Sequence, residues 1–391
     1  MSYLEITTDA QLIRYCHRLA KCRTIAIDTE FVSEDTFRPE LCLIQVAADG
    51  ELTVIDPVAI KDIRPFWVVL AAEGHETIVH AARSEVEFCL DAIGRPPAGL
   101  LDVQIGAGLA GLEYPTSYGS LISRLLKKKL GKHETRTDWR RRPLSTRQID
   151  YALDDVRHLA EIRNILGQKL DAAGRSGWWA DEMNRWLDDL YKSRDNDPWR
   201  RVSGNSGLDP RSLAILRELY AWRNEEAAHK NRPAKRILRD DLLVEIAKQK
   251  TADARRLRRI RGMERYKKQL DEILERIEIA LELPDDKCPR QGRSNRTPQL
   301  SVLGQILFAA LGSVCRKQRL APSLVATPNE IRYWFAYRTN PEQYEDAPPP
   351  ALNEGWRAEV VGNLFEDLLS GKKRIRITDP TSDFPLDFED A

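Results

Sequence analysis

Asp28 and Glu30 stand two positions apart in "TIAIDTEFV", residues 24 to 32, a run rich in Ile, Thr, Val and Phe. Such residues favour an extended chain, and in a strand positions i and i+2 point to one face. Two carboxylates would therefore project side by side from a largely apolar element. Burying like charges without compensation is costly, and a divalent cation held between hard oxygen ligands removes that cost. A second pair follows in "STRQIDYALDDVRHLAEI", where Tyr151 and Asp155 are four apart and share one face of a helix. Ser145 or Thr146 can cap that helix, while Ile149, Ala152, Val156 and Leu159 supply its apolar side. Glu85, in "HAARSEVEFCLDAIG", falls in the first turn of a helix after the short strand "TIVH". Open α/β sheets place sites at the carboxyl ends of such strands.

Together these are four acids and a tyrosine drawn from separate elements. A set of this kind can bind two Mg²⁺ or Mn²⁺ ions and hydrolyse a phosphodiester. Scattered cysteines at 16, 22, 42, 89, 288 and 315, with no C-x-x-C, give no zinc site and no disulfide framework. Tyr151 is neutral at pH 7, so it suits orienting water or phosphate better than acting as a base.

The elements that must position these residues alternate over the first part of the chain. Strands are expected at 24–32, 41–48, 52–56, 77–80 and 100–105, and helices at 9–20, 61–73, 84–93, 118–127 and 145–170. Short connections let the first three strands pair antiparallel, and helix-separated strands after them imply parallel crossovers. The expectation is an α/β domain over 1–190, a mixed sheet flanked by helices. A polar linker, 191–207, leads to an all-α unit at 208–288, with core candidates Leu213, Leu216, Leu219, Leu242, Ile246, Leu257 and Ile260. A second linker, 289–298, precedes another helical unit at 299–372, and an acidic tail closes the chain at 373–391.

Net charge is +1, from 61 basic and 60 acidic residues, so the distribution matters more than the sum. Residues 127–147 hold nine Lys/Arg against two acids, and residues 230–268 hold fifteen against five. Clustered positive charge of this kind fits nucleic acid. Arg136, Trp139, Arg140, Arg141 and Arg142, just before the Tyr151 helix, are candidate RNA contacts. Trp139 could equally anchor the loop inward. No apolar run approaches transmembrane length, and no signal-peptide layout opens the chain, so a cytoplasmic location is expected.

"AIDTEF", "HAARSEVEF" and "YALDDVRHL" resemble the three exonuclease motifs of the DEDD superfamily, in its tyrosine-bearing branch. "KHETRTDWRRRPLSTRQIDYALDDV" is similar to the ribonuclease D family, and residues 208–288 resemble the HRDC domain through "LYAWRNEEA", "DDLLVEIA" and "LRRIRG". The resemblance implies a ribonuclease-H-like fold and 3′→5′ trimming of RNA, notably tRNA precursors, with release of nucleoside 5′-monophosphates. It also implies Asp28, Glu30, Glu85 and Asp155 as metal ligands, with Tyr151 beside them. One position departs from the pattern: the family carries Asp where this chain has Glu85. A DNA 3′→5′ exonuclease of the helicase-associated kind, or an RNA-binding protein with a weakened site, are the alternatives.

Overall fold

β2 (Thr24–Val32) forms as its β-branched and aromatic composition requires, and it lies near the middle of a six-stranded sheet ordered β1-β4-β3-β2-β5-β6. The other strands are β1 (Leu4–Ile6), β3 (Glu40–Ala48), β4 (Glu51–Ile55), β5 (Glu76–Val79) and β6 (Leu100–Asp102). β2, β3 and β4 are antiparallel neighbours, while β5 pairs parallel with β2, and β6 parallel with β5. β1, which the sequence pattern did not predict, joins the edge parallel to β4. The computed structural model describes residues 2–129, 137–195, 197–291, 298–345 and 347–391.

The helices around the sheet are α1 (Asp9–Leu19), α2 (Arg64–Leu70), α3 (Arg83–Ile93), α4 (Val103–Leu109), α5 (Tyr118–Leu121), α6 (Thr146–Arg157), α7 (Leu159–Ala172) and α8 (Ser176–Asp195). α6 starts with a reciprocal cap between Ser145 and Gln148 and buries Ile149, Ala152, Leu153 and Val156. It lies across β2, β3 and β4. The helix expected over 145–170 is two helices, broken at His158, whose backbone leaves helical geometry. The strand expected over 100–105 ends at Asp102, because the Asp102 carboxylate accepts from the Gln104 N–H and starts α4.

The two helical units differ in how they find a core. Residues 210–282 bury Leu213, Leu216, Leu219, Leu242, Ile246 and Leu257 in a cluster of their own, with Ile260 partly buried against it. The C-terminal helices, Pro298–Gln318 and Pro328–Thr339 among them, bury Leu311, Trp334 and other apolar residues in the same cluster as the sheet domain's Val103 and Leu109. Close approach explains the merger. A Cβ on Gly108 of α4 would lie 2.9 Å from Leu324 Cδ2 and 3.0 Å from Tyr114 Cβ, so a larger residue there would have to push these side chains aside. Arg175 donates to the carbonyls of Leu109 and Arg319 at 2.9 and 3.1 Å. Arg357 makes a buried two-point ion pair with Glu182 at 2.5 and 2.7 Å.

The segment expected as an acidic tail contains a hairpin, Lys373–Ile377 paired antiparallel with Leu386–Asp390. Its strands carry opposite charge, with Lys373–Asp390 at 3.0 Å and Arg376–Glu389 at 2.8 Å.

Candidate active site

Alternation along β2 and the four-residue spacing along α6 bring three carboxylates together. Oxygens of Asp28, Glu30 and Asp155 all lie within 4.8 Å of one another. Helix α6 crosses the sheet on the face to which Asp28 and Glu30 point, and it presents Asp155 to them. Three like charges at this range repel strongly in a partly buried site. The consequence is a set of carboxyls that hold their protons above the usual range.

Burial is the main cause at each position, and neighbouring carboxylates add to it at β2. Glu30 is pushed up to about 8, with Asp155 and Glu85 contributing. Asp155 rises to about 6, although a hydrogen bond from Tyr151 works the other way. Asp28 is raised by burial and then by the charges of Glu85, Asp155 and Glu30. The Tyr151 phenol is pushed well above its normal range by burial and by Asp155. It therefore stays protonated at neutral pH and can donate a hydrogen bond.

Glu85 stands apart from the three. Its carboxylate is buried and accepts the Thr29 hydroxyl at 2.7 Å. Thr29 lies between Asp28 and Glu30, so its side chain alternates to the other face of β2. Glu85 thus lies beside β2, held by Thr29, and its oxygens are not among the three that converge. Burial raises it to about 7, with the Thr29 hydrogen bond opposing. Its field still reaches Asp28, where it is the largest charge contribution.

The turn that delivers Glu85 is held from below. Asp102 accepts from the backbone N–H groups of Ala81 and Ala82, each at 3.0 Å. Ala81 sits at φ +61°, a left-handed conformation that costs a non-glycine residue roughly 1–2 kcal/mol. Two hydrogen bonds to one carboxylate offset that cost and fix the start of α3.

A cleft of about 640 Å³ opens over Asp28, Tyr151 and Asp155, with Ser117, Ser120 and Lys129 on its wall. Hydroxyls and an ammonium group suit ribose and phosphate. His80 also lines it and is 2.9 Å from the Thr116 carbonyl through Nε2. Thr29, His80 and Asp102 escaped the sequence reading because single polar residues beside a motif carry no spacing signal. Only "PTSYGS", a turn-like polar run at 115–120, hinted at the cleft wall.

The arginine-rich segment before α6 behaves differently from expectation. Trp139 is buried against Leu43, Val54, Ile149 and Leu153, so it anchors the segment and cannot offer a face to a base. Arg142 grips Asp56 with Nε at 2.6 Å and Nη2 at 2.7 Å, and donates to the carbonyls of Cys42 and Trp139. Arg140 is tied to Asp35 and Asp138. Arg141 is the exposed one, its side chain 85% accessible and 3.7 Å from Asp138. Arg136 lies outside the described residues. Arg140, Arg142 and Trp139 hold the segment against the sheet domain because each has a carboxylate, a carbonyl or an apolar slot within reach.

Sheet, helices and clustered acids define a 3′→5′ exonuclease domain with helical units appended. Residues 3–171 match the family described as 3′-5′ exonuclease, and residues 212–277 match the HRDC domain. Ribonuclease D of Gluconacetobacter diazotrophicus is 36% identical over 373 residues, spanning 94% of this chain and 93% of that protein. Ribonuclease D of Acidiphilium cryptum is 34% identical over 94% of this chain and 93% of its own length. The crystal structure of Escherichia coli RNase D, an exoribonuclease involved in structured RNA processing, matches with a TM-score of 0.82 at 27% identity, over 95% of this chain and 99% of that one. The chain belongs to the ribonuclease D family and is a 3′→5′ exoribonuclease. Among the described residues, no helix is long and apolar enough to cross a membrane.

Proposed function

We propose that this exoribonuclease trims the 3′ ends of structured RNA precursors, tRNA precursors among them, and releases nucleoside 5′-monophosphates. The observation that carries the reading is the convergence of Asp28, Glu30 and Asp155 within 4.8 Å, with Asp28 and Asp155 lining an open cleft. Three acids with raised proton affinity and only hard oxygen donors fit divalent cations of the Mg²⁺ or Mn²⁺ type. In this reading Asp28, Glu30 and Asp155 hold two such ions, and Glu85 acts from beside Asp28 through its charge. Bound cations would lower the pKa of water and neutralise charge on the leaving oxygen.

The chain's own groups do the rest. Tyr151, neutral and hydrogen-bonded to Asp155, orients the attacking water or a non-bridging phosphate oxygen by donating its O–H. Ser117, Ser120 and Lys129 bind the terminal ribose and phosphate along the cleft wall. A second groove of about 1140 Å³ in the HRDC domain is lined by Arg256, Arg259, Arg261, Arg265 and Tyr266. With Arg239 its arginines outnumber the acids Asp241, Glu245 and Glu264 on the same wall, and an excess of positive charge suits sequence-tolerant phosphate contact, so this groove is where the body of a structured RNA would rest.

The test is digestion of a labelled tRNA precursor with a 3′ extension, in Mg²⁺ or Mn²⁺, with Asp28→Asn as control. Stepwise shortening from a free 3′ end, with 5′-monophosphates as product, is expected. A 3′-phosphate should block it and a 5′-phosphate should not. Equal degradation of circular RNA would overturn the assignment.

A further inference from the structure

Gln45 lies in the middle of β3 and is wholly buried, yet neither its amide nitrogen nor its amide oxygen has a hydrogen-bond partner among the described residues. Buried polar groups are almost always partnered, and one that is not calls for an explanation. The register supplies it. Gln45 is directly opposite Asp28 in the antiparallel pairing of β2 with β3. Opposed residues share a face, with Cβ atoms about 4.5–5.5 Å apart, within reach of a glutamine side chain.

The nearest positions on that face of β3 and β4 are apolar. Leu43 and Ala47 flank it along β3, and Val54 opposes it on β4. Leu43 and Val54 pack with Ile149, Ala152 and Leu153 beneath α6. The polar side chains at adjacent sheet positions are Asp28 and, diagonally, Glu30, which opposes Leu43. An amide offers two donors, and a carboxylate that ligates a cation through one side still accepts through the other.

We propose that Gln45 is a positioning residue for the catalytic carboxylates: its amide N–H, which has no partner among the described residues, turns to donate to Asp28 when that carboxylate receives a divalent cation, and holds it in the ligating orientation. This rests on the reading of Asp28 as a cation ligand. Groups that orient metal ligands in this way typically change metal affinity about 10- to 100-fold when removed. A purely structural glutamine would leave metal affinity unchanged; in either case replacing an unpartnered buried amide with an apolar side chain of similar size should not weaken the fold, so metal affinity is the readout that separates the two.

The experiment titrates Mn²⁺ into the full-length, metal-free protein and follows free Mn²⁺ by electron paramagnetic resonance, with thermal unfolding measured in parallel. Gln45→Leu should weaken Mn²⁺ binding about 10- to 100-fold while its unfolding temperature stays level or rises. Gln45→Met, unbranched and of the same reach, should repeat this result. Thr53→Val is the control, since Thr53 is also a buried polar residue but stands one position along β4, on the opposite face; it should bind Mn²⁺ as the parent does. If Asp28→Asn binds Mn²⁺ like the parent, the cation reading itself falls. If Asp28→Asn loses binding while both Gln45 variants keep the parent's affinity, Gln45 is only a core residue and this proposal is overturned.

Discussion

The acidic site and the arginine-rich segment lie side by side, both read from the sequence as charge reserved for a ligand, and they turn out opposite. Asp28, Glu30 and Asp155 face one another across less than 4.8 Å, and burial with mutual repulsion holds their protons on. Arg140 and Arg142, a few residues from α6, are each matched to acids of the same chain at 3.0 Å or closer. Charge that the protein leaves in conflict is charge that a ligand can relieve. Charge that the protein has already matched is structural, however basic the segment looks in sequence.

The largest expected effect tests the first half of that contrast. Asp28→Asn and Asp155→Asn should each lower turnover at saturating Mg²⁺ by on the order of 1000-fold, the upper range for losing one electrostatic stabiliser. The metal-free variants should melt no lower than the parent, because one repelling charge is gone. Near-parental turnover in either would mean the chemistry happens elsewhere.

Glu85→Gln is the next discriminator. The amide oxygen can still accept from Thr29, so the fold should hold, and only the charge beside Asp28 is lost. Metal affinity should fall about 10- to 100-fold, as when a ligand's supporting group is removed. Mn²⁺ titration that matches the parent would leave Glu85 as a buried acid of no functional weight.

Arg142→Ala probes the other half. Breaking its partly buried pair with Asp56 should destabilise the fold by on the order of 3 kcal/mol, read by denaturant unfolding. The salt dependence of RNA binding should not change. A lower salt slope with unaltered stability would show that Arg142 meets phosphate after all.

A smaller effect concerns pH. Glu30, Glu85 and Asp155 titrate near 8, 7 and 6 in the folded chain, against ordinary values of 4.5, 4.5 and 3.8. The folded state therefore binds more protons than the unfolded one across this window, and stability must fall as pH rises through it. Metal-free protein should melt lower at about pH 8.5 than at about pH 5.5, on either side of that window, and Mg²⁺ should restore the loss mainly at the higher pH. A melting temperature that rises over this range without metal would contradict the repulsion inferred for the site.

The smallest change should come from the HRDC groove. Arg256→Ala with Arg259→Ala should lower the salt slope of RNA binding by about 0.7 for each phosphate that is no longer neutralised, if the bound strand is single. Hydrolysis of a trinucleotide should stay at the parent's rate. An unchanged slope would place the RNA elsewhere.

What local spacing encodes, the sequence alone determined. Period-two alternation put Asp28 and Glu30 on one face of β2, and a four-residue step put Tyr151 and Asp155 on one face of α6. Strand–helix alternation likewise yielded the mixed sheet, since these features depend on backbone geometry within a single element. Relations between elements needed the tertiary structure. Glu85 and Thr29 are 56 positions apart, and Arg142 and Asp56 are 86 apart. No periodicity links such residues. The C-terminal helices read as a separate unit because their apolar faces repeat regularly, but a face does not name its partner, and it was the close approach at Gly108 that merged them with the sheet domain's core. Gln45 is the clearest case: in sequence it is one polar residue in "LCLIQVAA", and only the β2–β3 register, which is set by long-range strand pairing, places it against Asp28.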